Sequence, residues 1–313
     1  YRWRKYMKNK YDKKHLPFGN AFAIADPLIV GVQSAIPIDV SKVLQDDNLL
    51  KQFLERYVAW ISETKNNNIS GLEKYPHACF SNGTSEAFEK FYAKHHKRRF
   101  RFFKGEFVYH RLNCRNNGYD WEWLESEPLD KNDVVMISLP FSDTGNNPEG
   151  LDLILDHCDA LKIPVLIDCA YFGVCSNIDF NFDRECITDI TFSLSKSLYC
   201  AHARIGMRLT KEDDDDPLFV TNKMGYFNRL AAYIGLQLIN SFSPDYIYDT
   251  YRARQESYCK ILGVEPSDCV IFGIGDSSWK EYNRDRETNR LSLHKYLPED
   301  LEKEIQKIAD EKR

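Results

Sequence analysis

The sequence predicts an α/β protein with a three-layer α/β/α large domain on a mostly parallel sheet. A small α+β domain, assembled from the N-terminal arm and the C-terminus, completes the expected architecture. Three observations carry this. Two short apolar runs, residues 163–167 (IPVLI) and 190–194 (ITFSL), end on polar residues, as strands buried on both faces do. A further run at 133–140 (DVVMISLP) is followed by a loop at 143–150 and a helical period at 151–161. Residues 133–167 therefore read as strand, helix, strand, with a right-handed crossover. Beyond Gly263 and Pro266, two shorter runs at 269–274 and 290–293 read as a smaller sheet, with a helix starting at Pro298. The expected organisation is an arm over 1–45, a large domain over 46–235 and a small domain over 236–313.

The elements follow in order. Residues 1–15 are basic and aromatic without a clean period, and Pro17, Gly19, Pro27, Gly31 and Pro37 exclude a long helix over 16–38. A helical period starts at Ser41 as the cap, with Leu50, Phe53, Leu54, Tyr57, Val58 and Ile61 on one face, and stops at Asn66-Asn67-Asn68. Residues 77–80 read as a strand, 81–87 (SNGTSEA) as a turn, and Phe88, Phe91 and Tyr92 as the inner face of the next helix. That strand, glycine turn and helix start can hold a phosphate on free backbone N–H groups; a plain cap by Thr84 or Ser85 is the competing reading. The basic stretch 94–104 (KHHKRRFRFFK) alternates Arg99 and Arg101 with Phe100 and Phe102, as a half-buried strand with a solvated face does. Residues 211–217 (KEDDDDP) read as a solvated loop, and 218–240 and 244–262 as helices.

Composition narrows the function classes. The 313 residues are 43% hydrophobic and 28% charged, ordinary for a globular protein. A net charge of −5 gives no reason to expect nucleic acid or an anionic membrane, and no apolar run approaches the twenty residues of a membrane span. The nine cysteines include no Cys-x-x-Cys pair, and the eight histidines form no ligand-spaced cluster. A reduced, cytoplasmic compartment and no metal site are expected. The first residue is Tyr1 rather than Met, so a trimmed start is expected.

The runs at 163–167 and 190–194 end on Asp168 and on Ser195-Lys196. In an open α/β sheet, ligands sit at the carboxyl ends of strands. An acid and a lysine placed there suit pyridoxal phosphate, which needs a lysine for its Schiff base and a partner for its pyridinium nitrogen. Four pieces in register extend the point. Asn147-Pro148-Glu149-Gly150, Asp168-Cys169-Ala170-Tyr171, Ser193-Leu194-Ser195-Lys196 and Arg204-Ile205-Gly206 resemble the Asn-Pro-x-Gly, Asp-x-Ala-Tyr, Ser-x-Ser-Lys and following arginine of the fold-type I pyridoxal phosphate enzymes, the aspartate aminotransferase superfamily. The resemblance covers residues 76 to the C-terminus and fades before them.

The resemblance implies roles. Lys196 holds the cofactor and moves the proton at Cα, Asp168 keeps the ring nitrogen protonated, and Tyr171 and Asn147 (with Asn146 as rival) bond the ring oxygen. Gly83, Thr84, Ser85, Ser193, Ser195 and Arg204 surround the phosphate, and Phe107 stacks on the ring. Arg290 grips the substrate carboxylate, with Arg284 and Arg286 as rivals and a reduced small domain around them. The resemblance further implies an amino acid and a 2-oxo acid as substrates, and a homodimer whose partner lends a tyrosine; Tyr57 or Tyr75 are the candidates. Transamination is the expected reaction. Decarboxylation, elimination or cyclisation on the same fold is the alternative, and a non-catalytic regulatory module the reading from another class.

Overall fold

The protein is described by a computed structural model over residues 13–212 and 216–312. Seven strands form the central sheet: β1 (His77–Ser81), β2 (Arg99–Phe102), β3 (Trp121–Trp123), β4 (Asp133–Ser138), β5 (Val165–Cys169), β6 (Ile187–Ser193) and β7 (Gly206–Thr210), in the spatial order β1-β7-β6-β5-β4-β2-β3. Only β7 runs against its neighbours; the other ladders are parallel. Alternate residues of the central strands enter different cores. Val135, Ile137, Val165 and Ile167 join the large apolar cluster on one face. Val134, Met136 and Leu166 join Phe88, Phe91 and Phe102 on the other. Continuous apolar strands bury both faces under helices, which makes the three layers.

A second, antiparallel sheet of β8 (Glu265–Pro266), β9 (Phe272–Gly275) and β10 (Asn289–Ser292) packs with the arm. Ser292 N donates to the Phe18 carbonyl at 2.8 Å. The Phe18 ring is fully buried among Trp279, Tyr282 and Tyr296, with centroids 6.0, 6.1 and 5.2 Å away. The two ends of the chain thus share one core.

Several boundaries differ from expectation. The helical period at 41–62 is two helices, α1 (Val40–Gln45), capped by Asp39, and α2 (Leu49–Ser62). Asp39 accepts from Lys42 N at 3.2 Å, which makes it the cap in place of Ser41. Within the arm, Pro27–Ala35 is helical because Pro27 opens it and Asp26 accepts from Ile29 N at 2.8 Å. The period over 218–240 breaks at Gly225, and the C-terminal helix starts at Glu302, not Pro298. The expectations for residues 1–12 and 213–215 fall outside the described residues.

The basic strand is also corrected. Arg101 is not on a solvated face: it is fully buried, and its Nη1 lies 2.6 Å from Asp133 Oδ2. Its Nη2 donates to the Trp123 and Glu127 carbonyls at 3.0 and 2.6 Å. β2 is interior, flanked by β3 and β4, so the charge is absorbed by the neighbouring strand rather than by water. Arg101→Met leaves Asp133 buried and half-paired, and about 3 kcal/mol of stability is expected to be lost in urea unfolding.

Candidate active site

The carboxyl ends of β5 and β6 open into a cavity of about 630 Å³. Asp168, the fourth residue of β5, is 4% exposed and accepts from Ala170 N at 3.1 Å. Burial, reinforced by the nearby Glu106 carboxyl, raises its pKa well above the usual carboxylate range. β6 ends at Ser193, whose hydroxyl accepts from Ser195 N at 3.1 Å and starts the single helical turn Leu194–Ser197. That turn puts Lys196 into the cavity, where Nζ donates to the Ala21 carbonyl of the arm at 2.6 Å. Nζ also lies 5.7 and 5.8 Å from the Phe22 and Tyr171 ring centroids. Burial, with the Arg290 charge, pushes the lysine down to about 8.

A second cluster faces the same cavity. Arg204, at φ +56°, directs its guanidinium across to the turn before the helix Thr84–His95. Nη2 donates to Ser85 Oγ at 2.8 Å and to the Asn82 carbonyl at 3.0 Å. Ser193 and Ser195 hydroxyls bond one another at 2.7 Å. The helix has no side-chain cap, so its first N–H groups stay available to an anion. Thr84, Ser85, Ser193, Ser195 and Arg204 all line the cavity, while Gly83 lies behind Arg204.

The model of the class I and II aminotransferase family matches residues 88–243. Among solved structures, the chain is similar to the histidinol-phosphate aminotransferase of Clostridium acetobutylicum, at 15% identity and a TM-score of 0.63 over 94% of this chain and 99% of that one. It is also similar to aminotransferase AspB of Helicobacter pylori, at 12% identity and 0.65 over 94% and 93%. A pyridoxal phosphate-bound C-S lyase of Staphylococcus hominis gives 10% identity and 0.64 over 99% and 95%. A search of curated protein sequences returns no match.

The chain belongs to the fold-type I pyridoxal phosphate enzymes. Its cofactor is pyridoxal 5′-phosphate. The site of this fold-type I chain fits that group on its own geometry. A fixed cation, hydroxyls and an uncapped helix end suit the phosphate. A buried carboxyl and a buried amine lie deeper in the same cavity. Phe107, 41% exposed, lines the cavity and stacks on Tyr109 with centroids 5.7 Å apart. Tyr171 lines it as well, its ring edge-on to Phe272 at 5.3 Å.

On the substrate side, Arg290 of β10 is 9% exposed, with its guanidinium carbon 4.3 Å from the Phe272 centroid. One Nη donates to the Ser142 carbonyl, and Nε is buried without an acceptor. Arg284 donates to the same carbonyl, whereas Arg286 pairs with Glu125 at 3.2 Å and does not line the cavity.

Asn147 is the predicted residue that the fold does not bring in. It is exposed, and its amide donates to the Asn177 carbonyl at 3.3 Å. Asn146 does not replace it, because its Oδ1 accepts from Asp268 N at 2.8 Å and Ser267 Oγ at 3.0 Å. The residue that this loop sends to the cavity is Ser142, four positions after β4 ends at Ser138. Counting from the strand end rather than matching the Asn-Pro pair would have found it. Tyr57 and Tyr75 are 1% and 4% exposed, and the Tyr75 hydroxyl donates to the Phe182 and Ile187 carbonyls. Neither can be lent to a partner. Sequence reasoning also missed Glu106. Its carboxylate accepts from Ser138 N and Oγ at 2.7 Å, on the strand position paired with Asp168.

Gly83 has φ +72°, and a Cβ there would lie 2.3 Å from Arg204 Nη2. Gly83→Ala is expected to displace that guanidinium and weaken cofactor binding about ten-fold or more, read by titrating the loss of bound absorbance on dilution. Among the described residues there is no cluster that could hold a metal, and no helix long and apolar enough to cross a membrane.

Proposed function

We propose that this enzyme transfers an amino group between an amino acid and a 2-oxo acid, with Lys196 holding the cofactor and moving the proton at the substrate Cα. The observation that carries the reading is Lys196 Nζ itself: a buried amine brought down to about 8, facing Tyr171 at the end of a strand beside Asp168. Bound pyridoxal phosphate supplies an electron sink for negative charge at the substrate Cα. Lys196 is close enough to its neutral form at neutral pH to accept that proton and return it. Asp168 would hold a proton on the ring nitrogen by charge, Tyr171 would donate to the ring oxygen, and Phe107 would pack against the ring, since all three line the cavity. Arg204, Ser193, Ser195, Thr84 and Ser85 would hold the phosphate, and Arg290 would bind the α-carboxylate.

The reading extends to a cytoplasmic homodimer. Leu28, Ile38, Val40, Leu44, Met224 and Tyr226 are exposed apolar side chains of neighbouring elements: Arg229 Nη1 bonds the Asp46 carbonyl and Tyr233 bonds the Pro37 carbonyl. A second copy would cover this face. Sedimentation at micromolar concentration is expected to give about twice the monomer mass of 36.6 kDa.

The likeness to the C-S lyase keeps elimination as the second reading. Steady-state assays on an amino-acid panel separate the two. Product formation that requires an added 2-oxo acid is expected; turnover without an acceptor would overturn transamination in favour of elimination.

A further inference from the structure

All nine cysteines are free and buried, and two of them stand opposite each other where the loop after β5 meets the segment before β9. Cys175 and Cys269 form a single antiparallel bridge. The hydrogen bonds around it fix its kind. Ser176 N donates to the Asp268 carbonyl at 3.0 Å, and Val270 N donates to the Val174 carbonyl at 2.8 Å. These bonds flank the two cysteines rather than join them, so the pair is of the non-hydrogen-bonded kind. In such pairs the Cα atoms come within about 4.5 Å, and both side chains leave the same face. A disulfide spans Cα separations of roughly 4.4–6.8 Å, so this pair falls within its reach. In the other described strand pairings no two cysteines meet: Cys79 faces Arg208, and Cys169 faces Phe192.

The bridge adjoins the cavity from both sides. Tyr171 precedes Cys175 in the loop after β5, and Phe272 follows Cys269 at the start of β9. Their rings meet edge-on at 5.3 Å, and the Arg290 guanidinium lies 4.3 Å from the Phe272 centroid. Asn177 Nδ2 donates to Asp268 Oδ1 at 2.7 Å and closes the same joint. A covalent bond here would fasten the wall that carries Tyr171 to the wall that carries Arg290.

The two thiols differ in readiness. Burial pushes Cys269 up to about 12, offset in part by the Ile271 N–H and by the Arg290 and Lys196 charges. Burial raises Cys175 further, with only thiols and carboxylates as charged neighbours, and its Sγ donates to the Phe172 carbonyl at 3.0 Å. Cys269 is therefore the first to be oxidised and Cys175 the thiol that resolves it. Both are at most 1% exposed, which shuts out bulky disulfide reagents and leaves an oxidant as small as a hydroperoxide.

We infer that Cys175 and Cys269 form a reversible disulfide with hydrogen peroxide, which locks the Arg290 wall of the cavity to the Tyr171 wall. The Cys269 sulfur attacks one peroxide oxygen and the O–O bond breaks, giving a sulfenic acid and one water. The Cys175 sulfur then attacks that sulfur, the S–O bond breaks, and the S–S bond forms as a second water leaves. Two electrons pass from the thiols to the peroxide, and both thiol protons end in water. The inference holds whichever reaction the site performs.

The test starts from cofactor-loaded protein that has been reduced, freed of reductant and incubated with hydrogen peroxide. Remaining thiols are alkylated, and peptides are mapped by mass without reduction. The expected product is one linked pair carrying Cys175 and Cys269, lighter than the two free peptides by two hydrogens and parted again by dithiothreitol. Because the bond closes a long loop, the unfolding constant in urea should fall about thirty-fold or more. Loss of cofactor on dilution should slow by about five-fold or more, since the walls no longer part. Cys175→Ala and Cys269→Ala should each remove both effects of peroxide, while cofactor loss from the reduced variants stays within about two-fold of the parent. Two thiols that remain open to alkylation after peroxide, or a linked pair that contains another cysteine, overturn the inference. A Cys175–Cys269 bond that leaves cofactor loss unchanged overturns the lock.

Discussion

Lys196→Ala is expected to lower turnover by about 10⁴-fold, the upper end of what a positioned base contributes. Borohydride treatment should leave the cofactor's mass on the Lys196 peptide of the parent and on no peptide of the variant. Retained turnover in the variant would remove Lys196 from the reading. The amine's pKa adds a pH signature. Attachment needs the neutral amine, so its rate should rise with pH through about 8 and level off above. The cofactor-free protein should respond in the same direction. Between about 8 and the ordinary 10.5 the unfolded chain binds the proton that the folded one lacks, so stability rises with pH across that window.

Asp168→Asn is expected to separate stability from activity. In the cofactor-free chain this carboxyl is buried, and its pKa lies well above 3.8. Its contribution to stability is therefore full below the ordinary value and is lost as pH rises through the folded one. At neutral pH the amide removes that cost, and Tm of the cofactor-free protein should rise by about 2 °C in a thermal melt. With cofactor added, the anion opposite the ring nitrogen is missing, and turnover should fall at least about hundred-fold. A variant that is less stable when empty, or as active when loaded, would contradict the assignment. Functional groups held at a cost to stability are common in active sites.

The parallel core and the strand ends that bring Asp168 and Lys196 to the cavity were legible because they depend on local signals. A strand buried on both faces has no alternation to hide it, so the runs ending at Asp168 and Lys196 stand out between turns. β7 gave no such signal. It carries Arg208, whose charge is absorbed by Asp189 at 2.6 Å from the adjacent β6. A basic residue at a strand centre reads as solvated until the neighbour is known, and Arg101 failed for the same reason. Asn147 misled because a two-residue match sets no distance from the strand that aims it. Glu106 and Lys13 gain meaning only when the sheet and the arm bring distant segments to one cavity. No period or spacing encodes that meeting.

The shared core of the two chain ends has a consequence during synthesis. Phe18 and the Tyr282 hydroxyl that bonds its backbone are 264 residues apart, and Lys13 waits for carbonyls at 281 and 283. At roughly 5–20 residues per second, a ribosome needs on the order of 15 to 50 s to deliver those partners. The central sheet is complete at Thr210 and can collapse well before then. Over that interval Phe18 lacks the three rings it packs against, and the wall bearing Arg284 and Arg290 does not yet exist. The nascent chain thus completes the side of the cavity that carries Lys196 and Arg204 before the side that carries Arg284 and Arg290, and only release of the last segment closes it.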